Sequence, residues 1–413
     1  MKKRSILFIC ICIISISINA QSDISSPYSM YGLGKESPNY FSGLTALSNT
    51  GIAYRNPFSI NKSNPASLTS ISKNAFLYEV GFNSTSSIKK TNTINQQNFD
   101  FSFTHLAMGL TINDFWSTSF GIMPYSKVNY EIDVLQPIEG TTSFYNTNII
   151  GTGGISEAFW GHGLKLTNNL SVGIELYGRF GSIVREDFIS FETTSAYTKT
   201  STNYLSAGLN AGIQYNLKEL IGLNSTIGAT ISTPSTFNGE ETVTYGGIDD
   251  SLVLDEYISD SENIDTPLKL GVGISTKISN NLLLNIDYRK NYWGDTNQST
   301  GETANYIDQY IYAIGTEFKI PSEFNNYWDN VKYRAGINYD SGYLNLSKNN
   351  IDNYSFSLGL GMPLSKNGLS TMNINYSYGK EGTTNNNLIQ DNFHKLSINL
   401  SLVGNWFKKQ QKF

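Results

Sequence analysis

The sequence predicts an all-β protein, a transmembrane antiparallel barrel of about fourteen strands. Three observations carry that reading. The first is strict alternation: Leu396, Ile398, Leu400 and Leu402 fall on one face of an extended run, and Ser397, Asn399 and Ser401 on the other. The second is the length of such runs and the Gly, Ser and Asn content of their polar face. The third is an export signal at the N-terminus.

The signal occupies residues 1–20. Lys2, Lys3 and Arg4 form a basic start, residues 6–16 are apolar, and Ala20 suits cleavage before Gln21. The apolar run is too short to span a bilayer as a helix. Cys10 and Cys12 both lie within it, so the mature chain has no cysteine for a disulfide or a thiolate. Loss of those three cations moves the formal net charge from −5 to −8, which argues against a nucleic-acid partner. The 26 Tyr and 22 Phe suit the aromatic girdles of a membrane barrel.

Residues 21–73 do not alternate and are rich in Gly, Ser, Asn and Pro. Alternating runs then fill residues 74–407, at 75–87, 98–112, 116–131, 146–166, 170–189, 203–216, 224–240, 266–278, 282–293, 305–319, 331–344, 353–362, 370–380 and 393–407. Connections after even-numbered runs are mostly tight, as at Asn113-Asp114 and Ser279-Asn280-Asn281, with longer ones near 218–223 and 321–330. Those after odd-numbered runs read as long polar loops, the extreme being 241–265. Loop length sorted by parity is expected of an outer-membrane barrel. Residues 408–413 read as a short basic tail, with Trp406 and Phe407 at the interface.

A cation on the lipid face at mid-depth costs about 2–4 kcal/mol. Lys269, Asp287 and Arg289 are therefore expected inside the lumen or near a rim, and Tyr288, Tyr292 and Trp293 in an outer girdle.

The order Tyr31-Gly32-Leu33-Gly34, then 46–51, then Asn64-Pro65-Ala66 ahead of a barrel resembles the long-chain fatty acid transporter family of outer-membrane proteins (FadL/TodX type). Pro267-Leu268-Lys269-Leu270-Gly271, followed by Asn281-Leu282 and residues 287–293, resembles that family's later hairpins. The resemblance implies a barrel plugged by an N-terminal hatch, residues 21–73. It also implies hydrophobic substrates, fatty acids or aromatic hydrocarbons, that enter from outside and leave sideways through the wall.

Pro124, beside Gly121 in the third run, is the sharpest local hint. Proline cannot donate to a ladder, so it marks either a bulge or a wall opening. Asn64-Pro65-Ala66 reads as an ordinary turn or, through the resemblance, as a hatch tip. Glycines at 151–154 and 161–163 make room for a plug or a ligand and lack the context of a phosphate loop. His105, His162 and His394 are scattered, and neither a metal site, a cofactor nor a catalytic constellation is expected. The acidic run in 241–265 reads as solvated, with a bound cation as the lesser alternative.

Two functions follow as expectations. One is passive uptake of hydrophobic small molecules across a Gram-negative outer membrane, with no enzyme activity. The other is a non-transporting barrel that scaffolds or shuttles secreted protein partners.

Overall fold

A computed structural model describes residues 26–37, 41–191, 194–220, 222–247, 253–296, 304–321, 326–364 and 369–405. The export signal, Trp406, Phe407 and the basic tail lie outside the described residues. Fourteen antiparallel strands close into a ring: β1 (Ala75–Lys90), β2 (Asn95–Thr111), β3 (Trp116–Pro137), β4 (Phe144–Lys165), β5 (Leu170–Phe191), β6 (Thr194–Leu220), β7 (Leu223–Ser232), β8 (Lys269–Ser279), β9 (Leu282–Asn291), β10 (Gln309–Lys319), β11 (Lys332–Asp340), β12 (Asn353–Pro363), β13 (Thr371–Glu381) and β14 (Gln390–Asn405). Closure is made by β1 against β14, in register from Ala75↔Asn405 to Lys90↔Gln390.

The alternation lands as the sequence requires. Leu396, Ile398 and Leu402 are exposed at 44%, 41% and 42%, whereas Ser397, Asn399 and Ser401 are 1–2% exposed. On β5, Ile174, Leu176 and Phe180 face out while Glu175, Tyr177 and Arg179 are buried. Pairing of the first strand with the last leaves neither as an open edge in lipid. Among the described residues no helix is long and apolar enough to cross a membrane, a test that does not bear on strands.

Strand height differs from expectation. β3, β4 and β5 have 22 residues each and β6 has 27, whereas β7 to β13 have 9–11. Several of the expected polar loops are therefore strands. The run 241–265 is also mostly strand: Ser235–Gly246 continues β7 beyond Pro234 and pairs with both β6 and Val253–Asp260. In Ser235–Gly246 and Val253–Asp260 apolar residues do not recur at every second position, so alternation could not mark them as strands. Near 218–223, where a longer connection is expected, the β6–β7 pairing extends to Leu220 opposite Leu223.

Trp293 is not in an outer girdle. The chain leaves β9 into a short 3-10 helix, Trp293–Asp295, and its indole is 5% exposed. It stacks on Tyr306 and Tyr343 at centroid distances of 5.4 and 4.8 Å. Beside them, Tyr28, Leu344, Leu346 and Ile351 form an apolar cluster at the tall end of the ring.

Candidate functional site in the lumen

Residues 26–37 and 41–74 pack against the inward faces of the ring. They form three short 3-10 helices, Pro27–Met30, Ser42–Leu47 and Pro65–Ser70, and a two-residue strand, Lys35–Glu36. Asn64 caps the third helix by accepting from the Ala66 N–H at 3.0 Å, and Pro65 occupies the first turn, where its missing N–H costs nothing. The Asn64 Nδ2 also donates to the carbonyls of Ile52 at 2.8 Å and Ile213 at 3.2 Å. Asn64, Pro65 and Ala66 thus form a helix start held against the wall. Backbone glycines make the approach possible: a Cβ at Gly173 would lie 2.3 Å from the Ala66 nitrogen, and one at Gly212 would lie 2.0 Å from Asn64 Oδ1.

Buried charges tie the segment down. Lys62 contacts Glu157 at 2.7 Å and Glu175 at 2.9 Å, and the Arg179 Nε donates to Glu157 at 2.7 Å. Asp287 accepts from the N–H groups of Gly51 at 2.7 Å and Ile52 at 3.0 Å and pairs with Arg289 at 2.8 Å. Arg289 also donates to the Asn49 carbonyl at 2.7 Å. Lys269 reaches Glu36 at 2.8 Å. Lys269, Asp287 and Arg289 therefore all face the lumen and contact the inner segment. Burial alone would raise the Glu36 carboxyl, but Lys269 and the Tyr125 hydroxyl beside it hold it below its ordinary 4.5.

Lys62, Glu157, Glu175 and Arg179 were missed from sequence. The lipid-face cost that placed Lys269 would have placed them too, since Glu157, Glu175 and Arg179 lie on the inward alternate of β4 and β5. His105 is buried against Phe41, with ring centroids 3.9 Å apart. No His, Cys, Asp and Glu grouping among the described residues can hold a metal ion.

The wall is interrupted where Pro124 stands. The β2–β3 ladder runs only from Thr111↔Ser117 to Leu106↔Ile122, while β3 pairs with β4 along its whole length. Gly121, opposite Ala107, belongs to the last paired stretch rather than to the interruption. On the β4 side the register shifts between Pro124 and Ser126, leaving Tyr125 as an extra, bulged residue. The freed edge of β3 is served from inside. Lys35 and Glu36 pair with Lys127 and Ser126, Ser37 N–H donates to the Tyr125 carbonyl at 2.8 Å, and Ser26 N–H to that of Asn129 at 3.3 Å. Backbone groups that β2 abandons are thus satisfied by the inner segment.

Above the inner segment lies a cavity of about 740 Å³. Asp100, Phe103, Pro124 and Lys127 border it on the interrupted side, and Lys35 and Lys395 line it elsewhere. Phe103 is also 38% exposed, so it belongs both to the cavity and to the outer surface at the interruption. The lining mixes Ser, Asn and Lys side chains with apolar ones.

Solved structures of similar fold include a monoaromatic hydrocarbon channel and toluene transporters. The chain is similar to a Pseudomonas aeruginosa FadL homologue, with 13% identity and a TM-score of 0.63 over 91% of this chain and 100% of that one. It is similar to the Pseudomonas putida toluene transporter TodX, with 15% identity and a TM-score of 0.62 over 90% and 100%. The Ralstonia pickettii toluene transporter TbuX gives 15% and 0.59 over 88% and 98%. At such identities the likeness is one of fold. No curated protein sequence matches the chain. One family model, BamG, matches residues 1–413.

Proposed function

The chain belongs to the BamG family, and from its fold and the interrupted wall we propose that it is an outer-membrane channel for hydrophobic small molecules, fatty acids or aromatic compounds, with lateral release. Residues 26–74 act as its hatch, and the tall end of the ring faces outside. One observation carries the reading: Phe103 and Pro124 border both the cavity and the stretch where β2 and β3 no longer pair. A molecule held above the hatch has a route into lipid there that avoids a polar crossing. Apolar burial supplies about 25 cal/mol per Å², and Ser, Asn and Lys in the lining favour a substrate with a polar head over a bare hydrocarbon. Uptake runs down a gradient.

The test is extraction of the full chain in native membrane discs, followed by mass spectrometry of the bound small molecules. A hydrophobe enriched over a control barrel, and lost in Phe103→Asp, supports the channel. Equal recovery from both barrels overturns it.

A second reading, a barrel that holds a protein partner, draws on the height of β3 to β6. At about 3.3 Å per residue a 22-residue strand reaches roughly 70 Å, whereas about 9–11 residues cross the hydrocarbon. Half of that wall stands in water.

A further inference from the structure

The tall wall ends in an open edge. From β6 the sheet continues through Ser235–Gly246 to Val253–Asp260, paired from Val253↔Gly246 to Asp260↔Glu240. Among the described residues no strand pairs with the far side of Val253–Asp260. Every residue from Leu254 to Asp260 is exposed. The register shifts at Leu254, which is 72% exposed, while beyond it Ile258 is 65% exposed on one face and Tyr257 46% exposed on the other. The Tyr257 ring packs on Tyr245 of the neighbouring strand at 6.2 Å, which fixes the register of the pair.

Such an edge presents backbone donors and acceptors as a template for an added strand, although the Glu256 N–H already donates to the Asp255 carboxylate at 2.9 Å. A strand with both faces in water is also weakly supported by its own hairpin. Charge decides what could be added. From Ser235 to Thr266 the sequence has no Lys, Arg or His, while Glu240, Glu241, Asp255, Glu256, Asp260 and Glu262 surround the edge. A second copy would set Asp255 and Glu256 against their own kind, and like charges directly opposite are destabilising. A basic segment meets the reverse: long-range attraction, then main-chain hydrogen bonds, then contact with Leu254 and Ile258.

We propose that Val253–Asp260 is a docking edge that accepts an extended, basic segment of a partner protein by strand addition, on the tall side of the membrane. It rests on the partner-holding reading and names its surface; passage of small molecules is not required.

The probe is a synthetic octapeptide of alternating Lys and Val, added to the full-length barrel in detergent and followed by hydrogen exchange. The expected result is slowing of the 253–260 amides by tenfold or more, with at least tenfold weaker binding in the double variant Asp255→Lys, Glu256→Lys. Both side chains are exposed, so that variant keeps its fold. Unchanged exchange on adding the peptide, or equal binding by the variant, overturns the edge. So does protection without peptide together with a dimeric mass, because the occupant is then a second copy. Exchange in native membranes separates the two readings. Protection over 253–260 supports both, protection confined elsewhere overturns the edge alone, and protection nowhere overturns both.

Discussion

Lys127 on β3 donates to the Asp100 carboxylate on β2 at 2.6 Å, at a height where the two strands share no backbone ladder. The pair spans the interruption beside the cavity. Its side chains are 34% and 21% exposed, which keeps its worth within the modest range of solvated ion pairs, about 0.2–1 kcal/mol. Asp100→Asn is therefore expected to raise the open population by at most about fivefold. Spin labels on β2 and β3 read it directly as a broader distance distribution, and an unchanged distribution shows that the pair does not hold the strands.

Pro124→Val returns an N–H to β3. If Pro124 keeps the ladder from extending, the variant transports more slowly and its amide at 124 becomes protected from exchange. A variant that transports as well as wild type leaves Pro124 with the bulge alone.

Glu157 forms an ion pair with Lys62, accepts from the Arg179 Nε and is fully buried. Glu157→Gln strands the Arg179 charge, and loss of one partner of a buried pair costs roughly 3–5 kcal/mol. A guanidinium midpoint in detergent measures it. A drop no larger than that of an exposed control such as Glu131→Gln refutes the buried network as an anchor.

Gly173→Val and Gly212→Val place carbon against Ala66 and Asn64, where a Cβ has no room. Both are expected to detach the Pro65–Ser70 helix while leaving the ring intact. Single-channel recording detects the outcome as a rise in conductance, and limited proteolysis as new cleavage within 50–70.

Glu36 sets a pH response. Its carboxyl is held below 4.5 by Lys269 and Tyr125 against the opposing effect of burial. A depressed acid stabilises the fold fully above its unfolded value, and that share is lost as pH falls through the folded value. The melting difference between wild type and Glu36→Gln should be constant near neutrality, start to shrink as pH falls through about 4.5, and be lost once pH is below the lowered folded value. A difference that does not shrink on acidification contradicts the assignment.

Sequence legibility followed apolar contrast. Leu396 to Leu402 announced their strand because lipid on one side and a packed lumen on the other demand opposite chemistry at successive positions. Where both faces carry polar side chains, as over Thr198–Thr202, that contrast disappears and strand cannot be told from loop. Lys269, Asp287 and Arg289 were legible as lumenal because the cost of a charge in lipid is large. Their partners Glu36, Asn49 and Gly51 were not, since those contacts join residues more than 200 positions apart. Trp293 misled because an aromatic at a strand end suits an interface and a stacked lid equally well.

The unequal strands make the ring a scoop. β8 to β13, at 9–11 residues, form a low lip, their length about what is needed to cross the hydrocarbon. β3 to β6 rise behind it like a hood. Whatever approaches from the low side arrives along the membrane surface, and whatever comes down from above meets the hood first. The chain thus offers the lipid plane and the surrounding medium two separate addresses.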